Sequence, residues 1–126
     1  MTSLIACLST GKGTWALVTD IIKGAKWEKV YLITNEFGRD KFQKIEGVEL
    51  FVLNLENSPD ILSDEIVAAL HGNNLGTELA INMSPGTGNE HMALLSAVLK
   101  LGLGVRFVFL KNGVVEELKL FKFSFD

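Results

Sequence analysis

Residues 78–102 read ELAINMSPGTGNEHMALLSAVLKLG, and the reading of this stretch decides the fold. From Glu78 to Met83 the chain is almost continuously apolar over the length of a strand, without the in/out alternation of a half-exposed sheet, so a strand covered on both faces is predicted. Thr87 followed three residues later by Glu90 fits a capping box, and Gly102 just past Lys100 and Leu101 suits a C-terminal stop, so a helix is predicted over 88–101. Buried strand, glycine-rich turn and helix in that order are the repeating unit of a parallel sheet.

Working outward, the same grammar recurs. Strand-length apolar runs lie at Leu4 to Leu8, Lys29 to Thr34, Val48 to Asn54 and Val105 to Lys111, and the first four runs of the chain read as interior strands. Helices are predicted at 14–24 and 59–71, and GRDKFQKI before Val48 reads as a short turn or helix. Ser58-Pro59-Asp60 makes a good helix start: the serine oxygen can cap an orphan amide, proline is tolerated in the first turn, and the acid suits the dipole. Gly72 with two asparagines ends that helix. Asn112-Gly113 is a two-residue hairpin signal that places an antiparallel strand at the sheet edge, where Glu116, Glu117 and Lys119 suit an exposed position. The expectation is an α/β fold: a Rossmann-like three-layer sandwich with a mostly parallel sheet in order 3-2-1-4-5 and a C-terminal antiparallel hairpin, all in a single domain over 1–126. In the final FKFSFD, Phe121, Phe123 and Phe125 alternate with polar residues, as a terminal strand burying one face or as a self-association surface.

Composition narrows the function classes. The chain has 126 residues, 48% of them hydrophobic, and 12 Lys+Arg against 15 Asp+Glu give a formal charge of −3. That suits one small apolar-rich domain that holds its core without disulfides or a structural metal, and it argues against tracking long nucleic acid, which favours a basic surface. The single Cys7 sits inside LIACL and reads as core, which excludes a disulfide framework. With no apolar stretch of membrane-spanning length and no signal-peptide pattern at MTSLIACL, a cytoplasmic protein is expected. Two histidines, one cysteine and no close acidic cluster give no expectation of a metal site, and no cofactor is expected.

Two strand-to-helix junctions differ from the others. The first is Ser9, Thr10, Gly11, Lys12, Gly13 and Thr14; the second is Ser84, Pro85, Gly86, Thr87, Gly88 and Asn89. Each follows a strand and opens a helix, where glycines and short hydroxyl residues leave backbone amides to face a ligand and the helix end adds partial positive charge, as a phosphate cradle requires. In the expected strand order the first and fourth strands are neighbours at the switch point, where ligands bind beyond the strand C-termini, so both loops line one crevice. The plain alternative is that these residues only make tight turns and caps. Gly11-Lys-Gly-Thr-Trp-Ala16 also fits a loose dinucleotide pattern, with Glu36 as the ribose acid, though the chain lacks room for a substrate domain. A P-loop is excluded, because Ala6 stands where its first glycine belongs and Gly13 where Ser or Thr must follow the lysine.

LIACLSTGKGT, YLITNE after the first helix, INMSPGTGNEHMALLSAVL, and the hairpin around Asn112-Gly113 together resemble the CRISPR-associated Rossmann-fold (CARF) domains, which sense cyclic oligoadenylates in type III CRISPR defence. The similarity spans nearly the whole chain, and SPGT is its most specific part. One departure is that Gly88-Asn89-Glu90-His91 precede Met92 where the family often places lysine or proline. The resemblance implies a homodimer whose paired crevices form one bowl for a ring of adenylates, with cyclic tetra-adenylate as the expected ring. It implies that Ser9, Thr10, Lys12, Ser84, Gly86 and Thr87 hold phosphates and riboses, with adenines in flanking pockets. A ring-nuclease activity would follow from in-line attack of a ribose 2′-hydroxyl without metal, with Lys12 stabilising the phosphorane and Ser9 beside it.

His91 falls in the first turn of its helix on the side of Leu94, Leu95 and Val98. Two readings stand: a proton acceptor at the crevice mouth, or a histidine packed against the sheet. Glu90 reads as the capping-box acid, and His71 as a partner for a helix C-terminus. Arg39, Lys41 and Lys44 form a small basic group, either a solvated face or the rim of the bowl with Arg39 reaching a phosphate. Trp15 either stacks on a base or packs in the core or a dimer interface.

Overall fold

The computed structural model of the chain describes residues 2–8 and 14–119. Ser9, Thr10, Gly11, Lys12 and Gly13, and the phenylalanines of the terminal FKFSFD, lie outside the described residues.

Strands and helices alternate as β1 (Ser3–Cys7), α1 (Trp15–Lys23), β2 (Val30–Thr34), α2 (Glu36–Lys41), β3 (Val48–Val52), α3 (Pro59–Leu70), β4 (Glu78–Asn82), α4 (Gly88–Lys100), β5 (Gly104–Lys111) and β6 (Val114–Glu117). The six strands form one sheet in the order β3-β2-β1-β4-β5-β6. All neighbours run parallel except β5 and β6, which pair antiparallel. The protein is thus an α/β, Rossmann-like sandwich, mostly parallel, with a C-terminal hairpin. The chain reverses at Asn112 and Gly113 with φ of 53° and 77°, and positive φ at both positions is what a type I′ turn requires.

Because side chains alternate across a strand, each buried strand feeds two cores. Leu4, Ala6 and Leu8 of the β1 segment join Val30, Leu32 and Ala80 beneath Val18, Ile21 and Ile22 of α1. Ile5 and Cys7 face the other way, with Tyr31, Ile33, Leu79 and Ile81, against Leu62, Ile66 and Leu70 of α3 and Ala93, Leu94, Ala97 and Val98 of α4. Burying each large aliphatic side chain is worth roughly 1.5–3 kcal/mol, so the double layer explains why these strands read as unbroken apolar runs. Lys100 Nζ ties the two outer helices together through Ser63 Oγ at 3.0 Å and Asp64 Oδ1 at 3.1 Å.

Three expectations need correction. β3 is not an interior strand but the edge of the sheet, and only Phe51 of its five residues is buried. Its apolar residues gain cover from α2 and from loop residues Phe42 and Ile45 rather than from a second neighbouring strand. The short helix near residue 40 begins earlier, at Glu36, because Asn35 caps it by accepting the Gly38 amide at 3.0 Å. Ser58 does occupy the N-cap of α3 but makes no capping bond; its hydroxyl donates to Asp60 Oδ1 instead, at 2.5 Å.

At the end of the sheet away from the strand C-termini of β1 and β4, Arg106 donates to Glu117 (2.7 and 2.6 Å), to Thr2 Oγ1 (3.1 Å) and to Glu78 Oε1 (3.4 Å). Glu117, expected only to blunt an edge, therefore joins β6 to β5. The hydrogen bond to Glu117 holds the Arg106 guanidinium above its ordinary pKa, although burial acts the other way. No helix among the described residues is long and apolar enough to cross a membrane.

Candidate functional site

β1 and β4 lie side by side, with Ala6 in register with Asn82, so their C-terminal ends open together. β1 ends at Cys7, and the sequence enters Ser9-Thr-Gly-Lys-Gly two residues later. β4 ends at Asn82 and passes into Met83-Ser84-Pro85-Gly86-Thr87 before α4 begins. This is the switch point at which a doubly wound sheet offers a crevice.

Asn82 builds the start of the second loop. It is almost fully buried, and its side chain makes three bonds: Nδ2 donates to Val108 O at 2.8 Å and to Ser84 Oγ at 3.2 Å, while Oδ1 accepts from Ser84 N at 3.3 Å. The loop then turns at Gly86, whose φ of +105° suits glycine. A Cβ there would stand 3.0 Å from Glu90 Oε1, 3.0 Å from His91 Nε2 and 3.1 Å from Cys7 Cβ. Gly86 thus lets the loop lie against the end of β1 and the first turn of α4 at once.

Thr87 and Glu90 form the capping box expected from their spacing. Thr87 Oγ1 accepts the Glu90 amide at 3.2 Å, and Glu90 Oε1 accepts the Thr87 amide at 3.3 Å. Glu90 is a buried acid, 5% exposed, beside the Cys7 thiol. Burial first, and the nearby Glu90 charge second, push that thiol up to about 12, so Cys7 is a core residue and not a nucleophile.

The capping bonds reduce what the loop can offer a ligand. The amides of Ser84, Thr87 and Glu90 are occupied internally, and those of Gly86, Gly88 and Asn89 have no acceptor among the described residues. Ser84, Thr87, Gly88 and Asn89 are exposed, whereas Pro85 is buried. The chemistry at hand is therefore a set of amide and hydroxyl donors at a helix N-terminus, which suits an anionic oxygen.

His91 is half-buried, with Nε2 2.7 Å from Pro85 O. A carbonyl can only accept, so Nε2 carries a proton and donates it. The ring thus holds the loop through Nε2, and in the neutral form only Nδ1 keeps a lone pair with which to accept a proton.

Of the remaining sequence candidates, Ser9, Thr10, Gly11, Lys12 and Gly13 fall outside the described residues. Thr14 occupies the N-cap of α1. Glu36 lies in the first turn of α2 and, with Asn35, Phe37, Leu53, Asn54 and Glu56, lines a cavity of about 530 Å³ beyond the ends of β2 and β3. Arg39 sits in the last turn of α2, pairs with Asp40 at 3.3 Å, and lines a different cavity with Lys29, Lys44 and Val48, at the other end of β3. The structure does not bring it to Ser84 and Thr87. Trp15 packs against Phe37 and Phe42, with ring centroids 5.9 Å away in each case. Among the described residues there is no group of three or more His, Cys, Asp or Glu able to hold a metal ion.

Sequence reasoning missed Asn82 and Asn35. Asn82 closes a buried parallel strand and Asn35 directly follows one, and that position was the available signal: an asparagine amide there can satisfy the backbone of the following loop or helix. No protein-family model matches the chain, and no curated protein matches it at a significant level.

Proposed function

We propose that the protein binds a cyclic oligoadenylate, with four adenylates in the ring, as a homodimer in type III CRISPR antiviral signalling. The observation that carries this reading is the contact of Gly86 with Cys7, which seats the Ser84–Thr87 loop across the end of β1 at the switch point. Amide and hydroxyl donors there suit the phosphates, and the cavity beside Glu36 and Asn35 suits a flanking base. A net charge of −3 per chain fits a small anion held by local donors rather than a long polyanion. A two-fold pair of chains matches the symmetry of such a ring.

The same site admits degradation of the ring. A ribose 2′-hydroxyl attacks the adjacent phosphorus, its proton is lost, the 5′-oxygen departs and takes up a proton, and the products end in 2′,3′-cyclic phosphate and 5′-hydroxyl. In this reading Lys12 stabilises the phosphorane charge and Ser9 positions the phosphate.

Incubation with cyclic tetra-adenylate followed by chromatography tests both parts. Linear products with a cyclic phosphate end support binding and cleavage, and saturable binding without products supports a sensor or sink. Absence of binding, with thermal stabilisation by NAD or a mononucleotide, overturns the reading in favour of an ordinary nucleotide-binding regulatory domain.

A further inference from the structure

The amide orientation of Asn82 is fixed by two partners that allow no exchange. Val108 O can only accept, so the atom 2.8 Å from it is Nδ2; Ser84 N can only donate, so the atom 3.3 Å from it is Oδ1. The remaining Nδ2 proton then falls to Ser84 Oγ at 3.2 Å, where the hydroxyl oxygen must accept it. A hydroxyl that accepts from a buried amide has its own proton left to give, and Ser84 is exposed at the mouth of the crevice.

We propose that Asn82 is a positioning residue that sets the polarity of the Ser84 hydroxyl, holding it as a hydrogen-bond donor to a phosphate oxygen of the bound nucleotide. The proposal rests on the cyclic-oligoadenylate reading for the identity of that ligand and, more broadly, on the ligand carrying a phosphate. It assigns Ser84 to binding and not to nucleophilic attack, because among the described residues no base accepts its proton. It also explains why an amide, and not a carboxylate, closes β4. An aspartate would accept from Ser84 and turn the hydroxyl inward, while leaving Val108 O without its donor.

A double-mutant cycle reads this coupling. Cyclic tetra-adenylate affinity is measured by calorimetry for the intact chain, Ser84→Ala, Asn82→Asp and the double variant, with AMP as a second probe. Each single change is expected to weaken binding about tenfold, as loss of one charge-assisted hydrogen bond does, and the double variant to bind no more weakly than either. Multiplying losses, or an Asn82→Asp protein with intact affinity, overturn the inference while leaving ring binding in place. Failure of the intact chain to bind cyclic tetra-adenylate, with the non-additive cycle appearing for AMP, overturns the ring and keeps the inference; failure with both probes overturns both. Should Asn82→Asp not fold, the side-chain amide resonances of Asn82 serve instead. They are expected to move on ligand addition in the intact chain and not in Ser84→Ala, and equal movement in the two proteins contradicts the coupling.

Discussion

Gly86 stands directly against Cys7, so near that a Cβ on the glycine would come within 3.1 Å of the cysteine Cβ. This contact joins the loop after β4 to the end of β1. Gly86→Ala meets two penalties at once, a φ of +105° and the surrounding Glu90, His91 and Cys7 atoms. A loss of about 1–3 kcal/mol in unfolding free energy is expected from chemical denaturation, because backbone strain and overpacking each cost on that order. Ligand affinity should fall with it, since the loop cannot keep its seat. A Gly86→Ala protein with unchanged stability would contradict the contact.

The capping box makes a second prediction. Thr87→Ala removes the acceptor for the Glu90 amide and is expected to cost about 1 kcal/mol in thermal or denaturant unfolding, whereas Thr87→Ser retains most of it. If Thr87 also donates to a phosphate, the alanine variant loses affinity beyond its loss of stability, and the serine variant restores both.

Cys7 gives a pH dependence with a definite sign. Its native thiol is pushed up to about 12 from the ordinary 9.0. Between these values the unfolded chain loses the thiol proton while the native chain keeps it, so the unfolded state binds fewer protons and stability falls as pH rises. Denaturation from pH 8 to 11 on the intact chain and on Cys7→Ala should show an alkaline slope that the alanine variant reduces. A thiol reagent at neutral pH should label Cys7 only as fast as the protein opens; rapid labelling of the folded chain contradicts its burial.

Much of this architecture was legible because doubly covered strands and helix caps write themselves locally. ELAIN and LIACL read as buried strands and are, Thr87 and Glu90 announced their capping box, and Asn112-Gly113 announced the hairpin. What the sequence concealed depends on contacts between distant segments. β3 reads as apolar as its neighbours, and its place at the sheet edge follows from strand order rather than composition. Asn82 finds Val108, 26 residues away, as its acceptor, and Arg39 is carried by α2 to a cavity at the opposite end of β3 from the crevice. His91 stayed open between proton acceptor and packed ring because nothing local shows that its Nε2 donates to the Pro85 carbonyl.

Gly38 tests how α2 is seated. A Cβ at this position would overlap Thr34 Oγ1, whose hydroxyl donates to Leu8 O at 2.9 Å just before the first glycine loop. Gly38→Ala must displace either the helix or that hydrogen bond, and a loss of about 1–3 kcal/mol is expected in denaturant unfolding. Adding Thr34→Ala removes the obstructing hydroxyl, so the double variant should fall short of the summed losses; full additivity would contradict the overlap.

The central claim is most directly tested by the stoichiometry of ring binding. Calorimetric titration of the intact chain with cyclic tetra-adenylate, alongside native mass measurement of the complex, should give one ring per two chains. No binding of the ring, or saturation at one ring on a single chain, would contradict the account.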